Sequence, residues 1–358
     1  MKIPSAVLAK KIREVKGFVP TKTPMAVLQS LLIKEGYIIA SNTEMTVMVK
    51  LEGAEGISET FLLPPKAYAI LANMTLGDTE IKSDAKFQLT ITSGKSKSRF
   101  ASTDPSQYSF EINRSYADKH EAVIDAELLK ATIARCMFAV DEKTAANTVM
   151  EAISLKAKDG ILNVCGMSRA QLAWNKVEYD GEMNILLPIS AAQKLLSLNL
   201  QGDVHIYDDK KVIIFATDDC IFQSRLIQGE FVDYVGWFND LSLWAEIDRM
   251  DMISVMSRIA TLAQNENQPV RLEFSKDECR ISYMSAEASY DETILLAQPI
   301  GSADPVVIGL NPKLLLDMMK AYPGDDVVLN LEKSSMPMLV SDEVCQLRSM
   351  LLPVQIRA

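Results

Sequence analysis

Gly166-Met167-Ser168-Arg169-Ala170 and Gly94-Lys95-Ser96 are the stretches whose residue types and spacing come nearest to chemistry. The first sets a serine two residues after a glycine, as a nucleophile elbow does, and acyl transfer would need a base beside it. It ends in Ala170 rather than glycine, and the one histidine that follows is His205. The second resembles the end of a phosphate-binding loop, but the glycine needed five residues earlier is Leu89, and the region reads as a hairpin rather than a strand–loop–helix. Asp208-Asp209 and Asp218-Asp219 could hold a divalent ion, although adjacent carboxylates at turns are ordinarily solvated. Trp174, Trp237 and Trp244 could stack on bases, although isolated tryptophans more often pack. The five cysteines (Cys136, Cys165, Cys220, Cys279 and Cys345) lie far apart with no CxxC or Cys/His metal spacing, which reads as reduced core thiols in a cytosolic protein. With only His120 and His205, imidazole chemistry has little to build on. The expectation is therefore a non-catalytic protein without metal or cofactor; a hydrolase using Ser168 is the alternative from another class.

What remains is the distribution of charge. The 358 residues carry 37 Lys and Arg against 47 Asp and Glu, a net charge of −10. That balance does not exclude a nucleic-acid partner, because an acidic exterior around a basic inner surface gives the same total. Apolar residues make up 48% and charged residues 23%, a folded globular composition long enough for two or three cores. No apolar run reaches bilayer length, and Met1-Lys2-Ile3-Pro4 leads straight into a charged amphipathic segment, so neither a membrane partner nor a signal peptide is expected.

The elements that must position these charges repeat. Amphipathic helical segments at 7–15, 128–136 and 252–260 return apolar residues every three or four positions with basic side chains between them. Ile12, Ile133 and Met256 match across the three, 121 and 123 residues apart. A second helix in each third begins at a proline, where the missing N–H costs nothing: Pro64, Pro188 and Pro312, each 124 residues from the next. Alternating β-like runs follow, among them 37–40, 161–164 and 280–283, then 87–91, 212–215 and 327–331. Each third is two helices plus several antiparallel strands, an α+β fold with boundaries near Lys119 and Asn239.

In its order of elements over the whole chain the sequence resembles the bacterial DNA sliding clamp, the β subunit of DNA polymerase III. The best local matches are 215–217 through Ser224-Arg225-Leu226-Ile227-Gln228-Gly229-Glu230-Phe231-Val232-Asp233-Tyr234, and Leu351-Leu352-Pro353-Val354. The segments 94–100 and 309–315 are similar too. Val232 stands where the family commonly has proline and Gly236 where it commonly has a basic residue. These departures motivate a second possibility, a clamp-like paralogue of mobile-element or phage origin with altered partners.

The resemblance implies three clamp domains, 1–118, 119–238 and 239–358, and a homodimer closed head to tail into a ring with helices inside and sheets outside. Such a ring holds duplex DNA by non-directional attraction of cations to phosphates, without reading sequence. The candidate DNA-binding residues are Lys10, Arg13, Lys16, Lys22, Lys130, Arg135, Lys194, Arg258 and Lys320. It also implies that DNA polymerase and clamp-loader subunits dock short linear motifs, a glutamine plus hydrophobic residues, into a groove. The matching positions are Met150, Met167, Leu172, Val232, Asn311, Leu314, Met338, Leu352, Pro353 and Val354, a set rich in flexible thioethers and aliphatics suited to several peptides. Asn311 would anchor the peptide backbone. Ring closure is expected at Phe100 and Tyr108 against Thr261 and Leu262, in a cytoplasmic, nucleoid-associated protein.

Overall fold

The computed structural model describes residues 1–54, 59–109, 112, 121–140, 148–239, 241, 243–263, 268–298, 300, 304–342 and 344–356. Among these, one order of elements occurs three times. The first pass runs β1 (Lys2–Pro4), α1 (Ser5–Val15), β2 (Leu31–Lys34), β3 (Tyr37–Ser41), β4 (Met45–Lys50), β5 (Phe61–Leu63), α2 (Pro65–Leu71), β6 (Asp78–Ser83), β7 (Gln88–Ser93) and β8 (Ser96–Ala101). The second runs β9 (Glu121–Asp125), α3 (Ala126–Met137), β10 (Ala152–Lys158), β11 (Ile161–Met167), β12 (Gln171–Glu178), β13 (Met183–Pro188), α4 (Ile189–Ser197), β14 (Asp203–Asp208), β15 (Val212–Ala216) and β16 (Cys220–Arg225). The third runs β17 (Leu243–Asp248), α5 (Arg249–Leu262), β18 (Val270–Phe274), β19 (Glu278–Met284), β20 (Ser289–Gln298), β21 (Val306–Leu310), α6 (Pro312–Ala321), β22 (Asp326–Leu331), β23 (Met338–Ser341) and β24 (Leu347–Leu351). The six expected helices and the expected strands all form, and Gly94-Lys95 is the two-residue turn of the β7–β8 hairpin.

The helices form where the spacing of apolar residues demands it. α1 buries Leu8, Ala9, Ile12 and Val15, and α5 buries Met252, Val255, Met256 and Ile259, each along one stripe. Carboxylates cap two of the first helices: Asp125 accepts from the Leu128 N–H and Asp248 from the Asp251 N–H. A main-chain bond also seats each first helix on a strand start, from Ser5 to Gly77, Ala126 to Gly202 and Arg249 to Asp325, at 2.8–2.9 Å. The β3–β4, β11–β12 and β19–β20 hairpins share one turn geometry, with Asn42, Ser168 and Ser285 donating to the carbonyls of Met45, Gln171 and Ala288.

The chain divides into two compact units, Met1–Leu129 with Ser190–Leu226, and Lys130–Ile189 with Ile227–Ala358. The borders cut the middle third at α3 and α4, because strands of that third belong to sheets in both units. The expected boundary residue Lys119 lies outside the described residues.

The first unit holds a four-stranded sheet, β1-β6-β7-β8, and an eight-stranded one, β5-β2-β3-β4-β16-β15-β14-β9, all antiparallel. The larger sheet is two groups of four joined where β4 meets β16, with Thr46 opposite Gln223. Leu28, Leu32, Ile39, Met48, Tyr108, Ile214 and Ile221 pack as one cluster there. The second unit is a twelve-stranded sheet, β13-β10-β11-β12-β24-β23-β22-β17-β20-β19-β18-β21. Its first joint sets Leu172 of β12 opposite Met350 of β24. β17 and β20 meet over only two registered pairs, with an irregularity between them.

Candidate functional site

Three sets of residues bear on function, and the first is cationic. Lys10 and Arg13 on the exposed side of α1, and Lys16 just past its end, recur every third residue, away from the buried stripe. Arg13 also donates from a terminal guanidinium nitrogen to the Ala72 carbonyl just past α2, which holds the tip of its side chain. Lys11 turns inward instead, 6% exposed, toward Glu14 and Glu52 at 3.8 and 3.6 Å. Lys22 is exposed, Lys130 and Arg135 are half-buried on α3, and Lys320 is exposed in the last turn of α6. Lys194 of α4 sits 5.6 Å above the Phe18 ring, half-buried.

Arg258 is different in kind. It donates to the Tyr290 hydroxyl at 2.6 Å, to both Glu292 oxygens at 2.9 and 2.7 Å, and to Ser254 at 2.8 Å. Tyr290 in turn donates to Glu292. The tyrosine hydroxyl first, and Arg258 second, hold the Glu292 carboxyl below its ordinary range. A guanidinium engaged this fully holds α5 to β20 and has little charge left to offer a phosphate.

The second set is apolar and lies wholly in the second unit. Met167 and Leu172 join Cys165, Trp174, Tyr234, Phe238, Leu339 and Met350 in one buried cluster, with Met150, Phe231 and Leu241 packed against it. Tyr234 and Phe238 each bring a ring within 5.4 Å of Trp174. Met350 lies across from Leu172 on one side and Leu339 on the other, so these three share a face. Met338 does not join them. It pairs with Leu351 on the opposite face and is fully enclosed, and its neighbour Leu339 takes the cluster side. A one-residue step along a strand exchanges faces, so Met338 and Leu339 lie on opposite sides of the sheet.

Val232 and Leu352 are the exposed members of the set, at 38% and 40%, while Met150, Leu314, Pro353 and Val354 are half-buried. Asn311 caps α6, its Oδ1 accepting from the Lys313 and Leu314 N–H groups at 3.0 and 3.1 Å. That oxygen is committed to the helix, so the expected anchoring of a peptide by Asn311 falls away for this atom. The aromatic residues Trp174, Tyr234 and Phe238, which the sequence reading did not single out for this set, pack with Met167 and Leu172 in the same buried cluster. Their signal was the alternation along β12 and the run after Phe231.

The third set is two strand edges, one in each unit. β8 ends its four-stranded sheet, with Lys97 and Arg99 exposed and Phe100 half-buried. β20 pairs with β19 along Ser289–Leu295 and meets β17 only near its end, at Leu296 and Gln298. Asp291 of β20 is exposed and bound to Arg280 at 2.6 Å. Thr261 and Leu262 close α5, exposed and half-buried. Tyr108, expected at this edge, is 2% exposed in the core cluster of its unit, because its ring fills the face beneath Leu28 and Leu62.

No group of residues suited to a metal occurs among the described residues. Ser168 sits in the β11–β12 turn with its hydroxyl accepting from the Ala170 N–H at 3.4 Å, a turn-stabilising role. Cys136, Cys165, Cys220 and Cys279 are buried free thiols, and burial pushes Cys136 and Cys220 up to about 12, far from nucleophilic. No described helix is long and apolar enough to cross a membrane.

Residues 240–354 match the family described as DNA polymerase III beta subunit, C-terminal domain. Over 94% of this chain and 93% of the relative, the sequence is 22% identical to the beta sliding clamp of Chlamydia pneumoniae. It is 24% identical to that of Staphylococcus epidermidis, covering 93% of each. The fold superposes on the DNA polymerase sliding clamp from Bacillus subtilis with a TM-score of 0.90 at 20% identity, over 99% of both chains. The chain is thus similar to beta sliding clamps over nearly its whole length, and residues 240–354 match the C-terminal domain of the DNA polymerase III beta subunit.

Proposed function

We propose that two copies of this chain join head to tail into a ring around duplex DNA, and that the ring tethers polymerases and is opened by a clamp loader, both bound through short motifs in the apolar groove. The three domains are 1–118, 119–238 and 239–358, and the ring works in the cytoplasm beside the nucleoid.

The observation that carries this reading is the identical register of the two joints within the chain. Thr46, Leu172 and Ser289 each follow a four-residue turn of the same hydrogen bonding. Starting instead from the acceptors Gly77, Gly202 and Asp325, equivalent strand positions are Lys82, Tyr207 and Asn330. These face Thr90, Ile214 and Leu339, which face Arg99, Gln223 and Met350. Thr46 pairs with Gln223 and Leu172 pairs with Met350, so both joints obey one rule. The rule has a third instance only if Ser289 pairs with Arg99 of a second copy.

That register sets Lys97 opposite Asp291 and brings Ser96 opposite Glu292, so a basic strand meets an acidic one. A heterologous contact of this kind makes rings when the rotation closes and filaments when it does not. Lys10, Arg13, Lys16 and Lys22 with the cations of α3, α4 and α6 supply the phosphate contacts. These are non-directional, and such a surface lets DNA slide. Arg258 belongs instead to the edge that closes the ring.

The test is retention of the protein on nicked circular DNA, after loading, at salt where simple phosphate contacts are weak. Retention that is lost when the circle is cut is the expected result. Failure to be retained, from a confirmed dimer with a competent loader, would overturn the ring and leave the groove as the working part.

A further inference from the structure

We propose that the sheet face bordering the apolar set holds an anion site, and that it takes an acidic residue flanking the partner's hydrophobic motif; this rests on the groove reading above. Alternation along β12 sets Leu172, Trp174 and Lys176 on one face of the twelve-stranded sheet. Leu172 and Trp174 pair with Met350 and Arg348 of β24, and these pair with Leu339 and Ser341 of β23. The apolar row Leu172–Met350–Leu339 therefore borders the row Trp174–Arg348–Ser341, and Lys176 lies one step beyond. Each step is two strand residues, about 7 Å, which two extended peptide residues also span.

The second row is built around two cations. Lys176 Nζ sits 4.0 Å from the centre of the Trp174 ring, and the Trp174 indole N–H donates to Asn163 Oδ1 at 3.0 Å. Arg348 is exposed and reaches the Phe238 carbonyl at 3.5 Å. Among the described residues no carboxylate pairs with either cation. Burial, and then the Arg348 charge, hold the Lys176 ammonium below its ordinary value, so the two cations repel. Phe238, Asn330, Leu339, Ser341 and Arg348 line a cleft of about 50 Å³, enough for a carboxylate.

The occupant follows from the charges. The chain carries −10 overall, so an acidic ligand is drawn by this local pair and not by the field of the whole molecule. The tryptophan beside the cations is 4% exposed and offers no free face for a base to stack on. An aspartate or glutamate close to the apolar residues of a docked motif would meet Arg348 in a charge-assisted bond and relieve the repulsion from Lys176.

The experiment compares two fluorescent synthetic peptides by anisotropy, each with one glutamine followed by leucine and phenylalanine. One is flanked on both sides by two aspartates, the other by two asparagines. The proteins are the unmodified chain, Arg348→Gln, Lys176→Gln and, to control for net charge, Lys276→Gln in the exposed β18–β19 turn. The unmodified chain and Lys276→Gln are expected to bind the aspartate peptide about fivefold more tightly than the asparagine one. Arg348→Gln and Lys176→Gln should bind both peptides alike, with the asparagine peptide bound as in the unmodified chain. Should Lys176→Gln disturb the packing on Trp174, Arg348→Gln, a change on an exposed side chain, still decides the question. Equal binding of the two peptides by the unmodified chain overturns the anion site and leaves the groove standing. A preference that survives in Arg348→Gln, or that Lys276→Gln abolishes equally, also overturns the site. An unmodified chain that binds neither peptide overturns the groove reading, and the anion site with it.

Discussion

At the β4–β16 joint, Val47, Met48 and Val49 meet Cys220, Ile221 and Phe222, all buried. At the matching places on the open edges, β20 carries Tyr290, Asp291 and Glu292, and β8 carries Ser96, Lys97 and Ser98. One backbone plan has been given opposite side chains. A joint that forms with the fold and never opens can be apolar throughout, because it is never shown to water. An edge that must stay soluble until it meets its partner needs charge, which also blocks promiscuous strand pairing. On the proposed ring, the difference would mark the joint within the chain as permanent and the one between copies as separable.

Breaking the permanent joint should have the largest effect. Phe222 is fully buried against Phe18 and Phe215, with ring centroids 5.7 and 6.2 Å away. Phe222→Ala should destabilise the chain by about 3–5 kcal/mol, read from denaturant unfolding. A shift below roughly 1 kcal/mol would mean that the joint relaxes to fill the cavity.

Reversing charge on the separable joint should leave the fold intact and split the dimer. Lys97→Glu with Arg99→Glu is expected to raise the dimer dissociation constant on the order of a hundredfold by sedimentation, with an unchanged melting temperature. Asp291→Lys added to the same chain should recover part of the loss; no recovery would mean that the predicted register is wrong. Thr261 and Leu262, both replaced by glutamate, should also give folded monomers, with a somewhat smaller effect because they lie at the end of α5 rather than on the paired strands. Light scattering that still reports a dimer would remove them from the interface.

The gentlest probe is pH. Glu292 has its carboxyl held below its ordinary value of 4.5 by the Tyr290 hydroxyl and by Arg258. A depressed folded-state pKa contributes stability that is present above the ordinary value and lost as pH falls through the depressed one. The α5–β20 contact should thus survive at pH 5 and weaken only in more acid solution. Thermal melts of the unmodified chain and Glu292→Gln should then diverge at neutral pH and converge at low pH. Parallel curves would show that the ion pair adds nothing there.

Much of this was legible from the chain alone. The apolar spacing of α1, α3 and α5, the prolines that open or precede the second helices, and the recurrence of both near 124 residues follow from local rules that act within a few residues. The resemblance to sliding clamps followed from the order of those pieces.

What a residue meets across space was not legible. Met338 and Leu339 look alike in the sequence, yet pleating puts only Leu339 beside Leu172 and Met350. Lys10 and Lys11 are adjacent lysines, and helix geometry exposes one while burying the other. Arg258 reads as one more helical cation until Tyr290 and Glu292, some thirty residues on, take up its charge. Periodicity is a local property and determined the elements and their order. Face, register and pairing are set by where distant strands meet, and only the tertiary structure decided them.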